Sequence, residues 1–112
     1  MAETSETPIL DLMAEMTAAS VEATSLDDQA LALVRIAALV AVDAPPASYL
    51  VNLGAASEIG IDEEQVKGVL AAVAPIVGTA RVTSAVGNIA RALGFAIELA
   101  ALEMEAELEE EE

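Results

Sequence analysis

The chain contains no cysteine, no histidine and no tryptophan, and it has a single Tyr and a single Phe in 112 residues. Without thiols or imidazoles there are no disulfides, no thiolate nucleophile, no histidine base and none of the usual sulfur or nitrogen metal ligands. Cations are almost as scarce. Lys and Arg number 4 against 20 Asp and Glu, a formal charge of -16. Such a surface repels a phosphate backbone instead of releasing counterions from it, which excludes nucleic-acid binding. Long apolar runs are missing as well: the longest uncharged stretches, 44–57 and 68–80, are shorter than the ~18 apolar residues a membrane helix needs. The start MAETSETP is acidic and lacks the basic opening of a signal peptide, so a cytoplasmic location is the expectation.

What is present is aliphatic. Hydrophobic residues make up 55% of the chain, mostly Ala, Leu, Val and Ile recurring every third or fourth position, which predicts an all-α fold of five to six helices in one domain. The predicted organisation is a flexible N-terminus over 1–7, a helical domain over 8–104 and an acidic, disordered tail over 105–112. Thr7 before Pro8 marks the first helix, with Thr7 placed to cap and proline in the first turn, and this helix ends near Ala23. Ser25-Leu26-Asp27-Asp28 resembles a capping box opening a second helix, which stops before Asp43-Ala44-Pro45-Pro46 because a residue preceding proline is pushed out of the α region. A third helix starts at Pro46 and closes at Gly60; Asp62 with Gln65 caps a fourth, which Pro75 and Gly78 kink or end near Ala74. The last helix starts at Thr79. Along it Arg81, Ser84, Asn88 and Arg91 form a polar stripe read as a solvated face, and Val82, Val86, Ile89 and Leu93 an apolar one.

The amount of apolar residue exceeds what one small unit shelters. The second helix is apolar all round from Ala30 to Val42 except at Arg35, and a chain this short buries only a little over ~60% of its unfolded surface. A positive mean hydropathy of +0.55 beside the high charge therefore implies self-association. Ala80, Gly87, Gly94 and Ala101 recur every seven residues on the last helix, a strip that serves either packing inside the subunit or a subunit contact.

The run from Leu33 to Val82 resembles the carboxymuconolactone decarboxylase family, which includes the alkyl hydroperoxidase D-like peroxidases. Four linked features carry the resemblance: a helix ending in Leu39-Val40 before a turn, a helix closing on Ala56 to Gly60, the start Asp62-Glu63-Glu64-Gln65-Val66, and the break Ala74-Pro75-Ile76-Val77-Gly78. The resemblance implies an alkyl hydroperoxidase D-like helical bundle assembled into homotrimers or hexamers. In the family's peroxidase branch a Cys-x-x-Cys is followed four residues later by His. Counting back from Gly60 puts Asn52 at the His position, Ser48 and Pro45 at the two Cys positions, and Ala32 or Leu33 at the Glu of the preceding helix. Peroxide reduction needs a low-pKa thiolate, so thiol peroxidase activity is rejected.

The decarboxylase branch uses no cysteine. Its chemistry asks for a cation to hold carboxylates, a proton donor and an apolar pocket. Arg35 and Arg81 are the candidate substrate clamps, Tyr49 the candidate proton donor, and Ser48 and Asn52, four apart on one helix face, the candidate hydrogen bonders. Each has a plainer reading. A lone Arg in an apolar helix is more often salt-bridged, here to Asp28, Asp43 or a neighbour's Glu; Ser48 and Asn52 are more often solvated; Tyr49 and Phe95 are core or interface fillers. Asp62-Glu63-Glu64 lacks the alternating donors and central glycine of a calcium loop and complements the helix dipole instead, so neither metal nor cofactor is expected. The reading is thus a non-redox homo-oligomer that binds a small carboxylate or is structural, with a decarboxylase acting on a carboxylated lactone as the alternative. The alternative predicts a cavity holding an Arg free of internal carboxylates.

Overall fold

The computed structural model describes residues 6–111; in the last helix the side chains of residues 95, 96, 98, 99 and 107–111 are outside the description. The described chain is all-helical, with α1 (Pro8–Ala23), α2 (Asp28–Ala41), α3 (Pro46–Glu58), α4 (Glu63–Val77) and α5 (Thr79–Glu111) and no strand among the described residues. None of these helices is long and apolar enough to cross a membrane. Residues 1–5 of the expected flexible N-terminus and Glu112 of the tail lie outside the described residues.

The helix ends show how local chemistry sets the frame. Asp62 accepts from the Gln65 amide at 2.9 Å while the Gln65 side chain accepts from the Asp62 amide at 3.0 Å, a reciprocal box that satisfies two orphan donors of α4. At the end of α3, Gly60 (φ 88°) lets its amide reach Ser57 O and the Ile61 amide reach Ala56 O, closing the helix and folding Ile61 onto Ala56 in the core. The same double bond ends α2. Asp43, with φ 54°, sits where Gly60 sits in α3; its amide bonds Val40 O and the Ala44 amide bonds Leu39 O. The stop expected from Pro45 is therefore made two residues earlier, by Asp43 in the left-handed region.

Four expectations at helix ends are corrected. Asp27, not Ser25, caps α2, accepting from the Ala30 amide at 2.8 Å, because the first helical residue is Asp28 and only Asp27 stands immediately before it. Thr7 makes no side-chain cap bond; its hydroxyl donates to Asp11 instead. Of the two alternatives at Pro75, an end near Ala74 is not what the helix does: Pro75 lies inside α4, which continues to Val77, since a proline this near the C-terminus removes one backbone bond and Gly78 (φ 90°) then turns the chain. The last helix, expected to end near Met104, continues to Glu111: extending a formed helix adds a hydrogen bond per residue without a new nucleus, and Glu is a good helix former.

Helix α2 packs on α3, α4 and α5, and α5 lies along α3. Two small cores result. One gathers Val40, Ala44, Tyr49, Ala85 and Ala92; the other Ile36, Ala56, Ile61 and Val69. The small residues that admit a neighbouring helix are thus Ala85 and Ala92. The strip expected to do so contains Gly87 and Gly94, and a Cβ at either would meet nothing within 4 Å. Helix α1 has no buried residue and does not pack on the other four. The radius of gyration, 16.7 Å, exceeds the ~13 Å of a compact chain of this length.

Candidate functional site

Helical spacing places Asp28, Leu31, Ala32 and Arg35 on one stripe of α2, and Asn52, Ala55, Ala56 and Ile59 on one stripe of α3. The two stripes face each other across an open cleft of about 300 Å³, which Val21 of α1 and Glu58 also border. Ala56 forms its floor, fully packed into the core below.

The cleft brings two of the candidate residues together. Arg35 donates from Nη2 to Ser20 Oγ at 3.0 Å, and the salt bridges among the described residues are those of Lys67 with Glu63 and Glu64. The expected pairing of Arg35 with Asp28 or Asp43 is absent among the described residues, and Ser20 at the end of α1 accepts from the guanidinium instead. Asn52 donates from Nδ2 to the Ser48 carbonyl at 2.9 Å, one turn back on its own helix. That bond spends one amide hydrogen and leaves the Asn52 carbonyl oxygen without a hydrogen-bond partner among the described residues.

The other candidates lie elsewhere. Ser48 is half-buried and does not line the cleft. Tyr49 is fully buried in the core between Val40, Ala85 and Ala92, and its Oη is sealed from solvent with no hydrogen-bond partner. Burial, and secondarily the charge of Asp43, push the phenol above its usual pKa of 10.0. A sealed phenol that resists ionisation has no route to a ligand in the cleft. Arg81 donates from Nη1 to Ala41 O at 2.7 Å, capping the last turn of α2.

The polar stripe of α5, read from sequence as a solvated face, keeps Arg81 and Arg91 exposed and also bonds the neighbouring turn. Ser84 donates to Asp43 Oδ1 at 2.6 Å, Asn88 donates to Ala44 O at 3.2 Å, and Arg91 donates to Asn88 Oδ1 at 3.1 Å. With Arg81 these residues fasten the α2–α3 turn to α5. The turn's carbonyls have no partner within their own helices, and a facing row of donors is the arrangement that satisfies them. Sequence reasoning missed Glu58 and the cleft's second acid, Asp28, as site residues; helical spacing gives no signal for either until α2 and α3 are set face to face.

Chemically, the cleft offers one guanidinium, one amide oxygen, two rim carboxylates and an aliphatic floor. That set can hold a small polar molecule. Among the described residues lining it there is no hydroxyl, thiol, imidazole or amine. No three or more carboxylates among the described residues gather to hold a metal ion. Comparison with family models, with curated proteins and with solved structures finds no match to this chain.

Proposed function

We propose that this chain is a non-redox relative of the carboxymuconolactone decarboxylase family, a cytoplasmic homotrimer or homohexamer with an alkyl hydroperoxidase D-like bundle, that binds a small molecule between α2 and α3. The observation that carries the reading is the cleft holding Arg35, with no carboxylate within 4.0 Å among the described residues, beside Asn52. Asn52, at the family's His position by residue counting, lines this cleft, as does Ala32, one of the two residues, with Leu33, at the position of its Glu. The cleft therefore includes the family's His position, while Pro45 and Ser48, at its two Cys positions, lie outside it.

The charges define the ligand class. Arg35 suits a carboxylate, but Asp28 and Glu58 border the same cleft and the chain carries -16 overall. A dianion such as a carboxylated lactone is opposed by both. A small molecule with one carboxylate and one cationic group satisfies all three residues. The decarboxylase alternative has Arg35's freedom from carboxylates in its favour, and against it the sealing of Tyr49, its only proposed proton donor.

The test is titration of the assembled protein, followed by amide chemical shifts, with a panel of zwitterions of the amino-acid type, monocarboxylates and lactone dicarboxylates. The expected result is saturable binding of zwitterions that moves the amides of Arg35, Asn52 and Ala56. Arg35→Gln should weaken it about tenfold or more, the order of one charge-assisted hydrogen bond. Failure of the whole panel at millimolar concentration leaves a structural oligomer, and carbon dioxide release from the lactone acids establishes the alternative.

A further inference from the structure

The fold leaves two apolar surfaces open, and they match. The first is on α1. Asp11, Glu15 and Glu22 fall within one narrow arc of the helix, and Ile9, Leu12, Met13 and Met16 fall on the opposite side. Ile9 is 72% exposed and Met16 62%. Ser20 lies on the same apolar side, where Arg35 holds it, so the helix is anchored at its C-terminal end while no other helix among the described residues packs beneath its apolar first half.

The second surface is a groove between α3, α4 and α5. Leu53, Val66, Leu70, Val86, Ile89 and Leu93 line a half-open cavity of about 500 Å³. A further hollow of about 220 Å³ along α3 shares Leu53, Ser57 and Leu93 with it and extends it past Gly54 to Leu50. Within its own chain α1 does not pack on α3, α4 or α5.

We infer that α1 of one copy seats its Ile9–Leu12–Met13–Met16 face in the α3/α4/α5 groove of a second copy, making this groove a subunit interface. This rests on the self-association part of the proposed function and names the surfaces that carry it. Area permits the exchange: a 16-residue helix is about 24 Å long and about 10 Å wide, and two such dockings bury on the order of 1,000 Å² counted on both partners, the threshold for a specific interface. The three acids of α1 lie away from its docking face, and the groove's charged residues, Asp62, Glu63 and Lys67, include a cation already paired with Glu63 and Glu64, so the contact rests on apolar surface and not on charge attraction. The end of α5 is a poorer occupant, because acids interrupt its apolar residues from Glu103 onward. The contact is heterologous, so it closes as a reciprocal pair or as a ring.

The absence of native cysteine permits a direct test. Full-length Met13→Cys chains are mixed with Val86→Cys chains and oxidised mildly; both sites are more than half exposed, so neither change empties the core. A covalent dimer of one chain of each kind, formed at least about tenfold more than either variant forms alone and abolished by Leu70→Asp in the acceptor, is the expected result. Circular dichroism of Leu70→Asp checks its helicity, and Val66→Asp serves in its place if it unfolds. Sedimentation showing an oligomer that never gives the mixed dimer overturns the α1 docking but leaves self-association standing. A folded monomer overturns both. A Met13→Cys/Val86→Cys chain that links within itself at monomer mass shows α1 folding back, and also overturns the inference.

Discussion

Ser84 of α5 donates a 2.6 Å hydrogen bond to the carboxylate of Asp43, the one non-glycine residue among those described that holds a positive φ. A left-handed L-residue costs about 1 kcal/mol or somewhat more, least for Asp and Asn. Here a side chain forty-one positions away keeps it in place, so the end of α2 depends on α5.

Ser84→Ala should therefore destabilise the fold by about 1 kcal/mol, at the lower end for a bond to a charged group because the pair is solvent-accessible. Asp43→Gly relieves the backbone but loses the bond, and should come out near neutral; in the Ser84→Ala background it should be stabilising. Urea midpoints of the four proteins in this double-mutant cycle measure the coupling. Additive single effects would show that the bond does nothing for Asp43.

Tyr49→Phe removes a hydroxyl that is buried without a partner. The change should be neutral or stabilising by about 1 kcal/mol, as expected when an unsatisfied polar group is deleted without loss of shape. The raised phenol pKa adds a pH signature with a definite sign. Folded Tyr49 keeps its proton above pH 10 while the unfolded chain releases it, so the stability present below that pH falls as pH rises above it. Tyr49→Phe should abolish that part of the fall. Tyr49 is the only tyrosine, so absorbance at alkaline pH reads its ionisation directly; titration at the ordinary value in the folded protein would contradict its burial.

Two glycines should respond in opposite directions. Gly68 lies exposed in the interior of α4, where an added methyl group would meet nothing within 4 Å, so Gly68→Ala should stabilise by about 0.5–1 kcal/mol. Gly60→Ala should destabilise by about 1 kcal/mol despite equal space, because its φ of 88° is strained for any side chain. Thermal or urea unfolding of both variants checks the pair, and similar signs would contradict the assigned backbone.

Self-association should strengthen with salt. Copies carrying -16 each repel one another, and a Debye length of about 30 Å at 0.01 M shrinks to about 3 Å at 1 M. Sedimentation across that range should show the association constant rising, roughly tenfold or more. A fall would mean that ion pairs, not apolar surface, hold the copies together.

Much of the helical frame was legible because its signals are local. Pro8, the Asp62–Gln65 pair, Gly60 and Gly78 act within four residues of themselves, and each ends or starts a helix where its chemistry requires. Asp43 was harder, since nothing local distinguishes an Asp that will accept the left-handed region from one that will not; its support comes from Ser84. The site was legible only in part. Arg35 and Asn52 share a cleft, but Tyr49, one residue from Ser48, turns into the core while its neighbours stay near the surface.

By itself the sequence determined the helices and the surplus of aliphatic surface, because periodicity, caps and composition act through each residue's own backbone and its nearest neighbours. Tertiary structure alone decided which stripes are covered. Whether Ala85 or Gly87 receives another helix, whether the α5 donors meet water or the α2–α3 turn, and whether α1 has anything beneath it are settled by how rigid helices stack. Each pair of faces excludes another, and no single segment carries that choice.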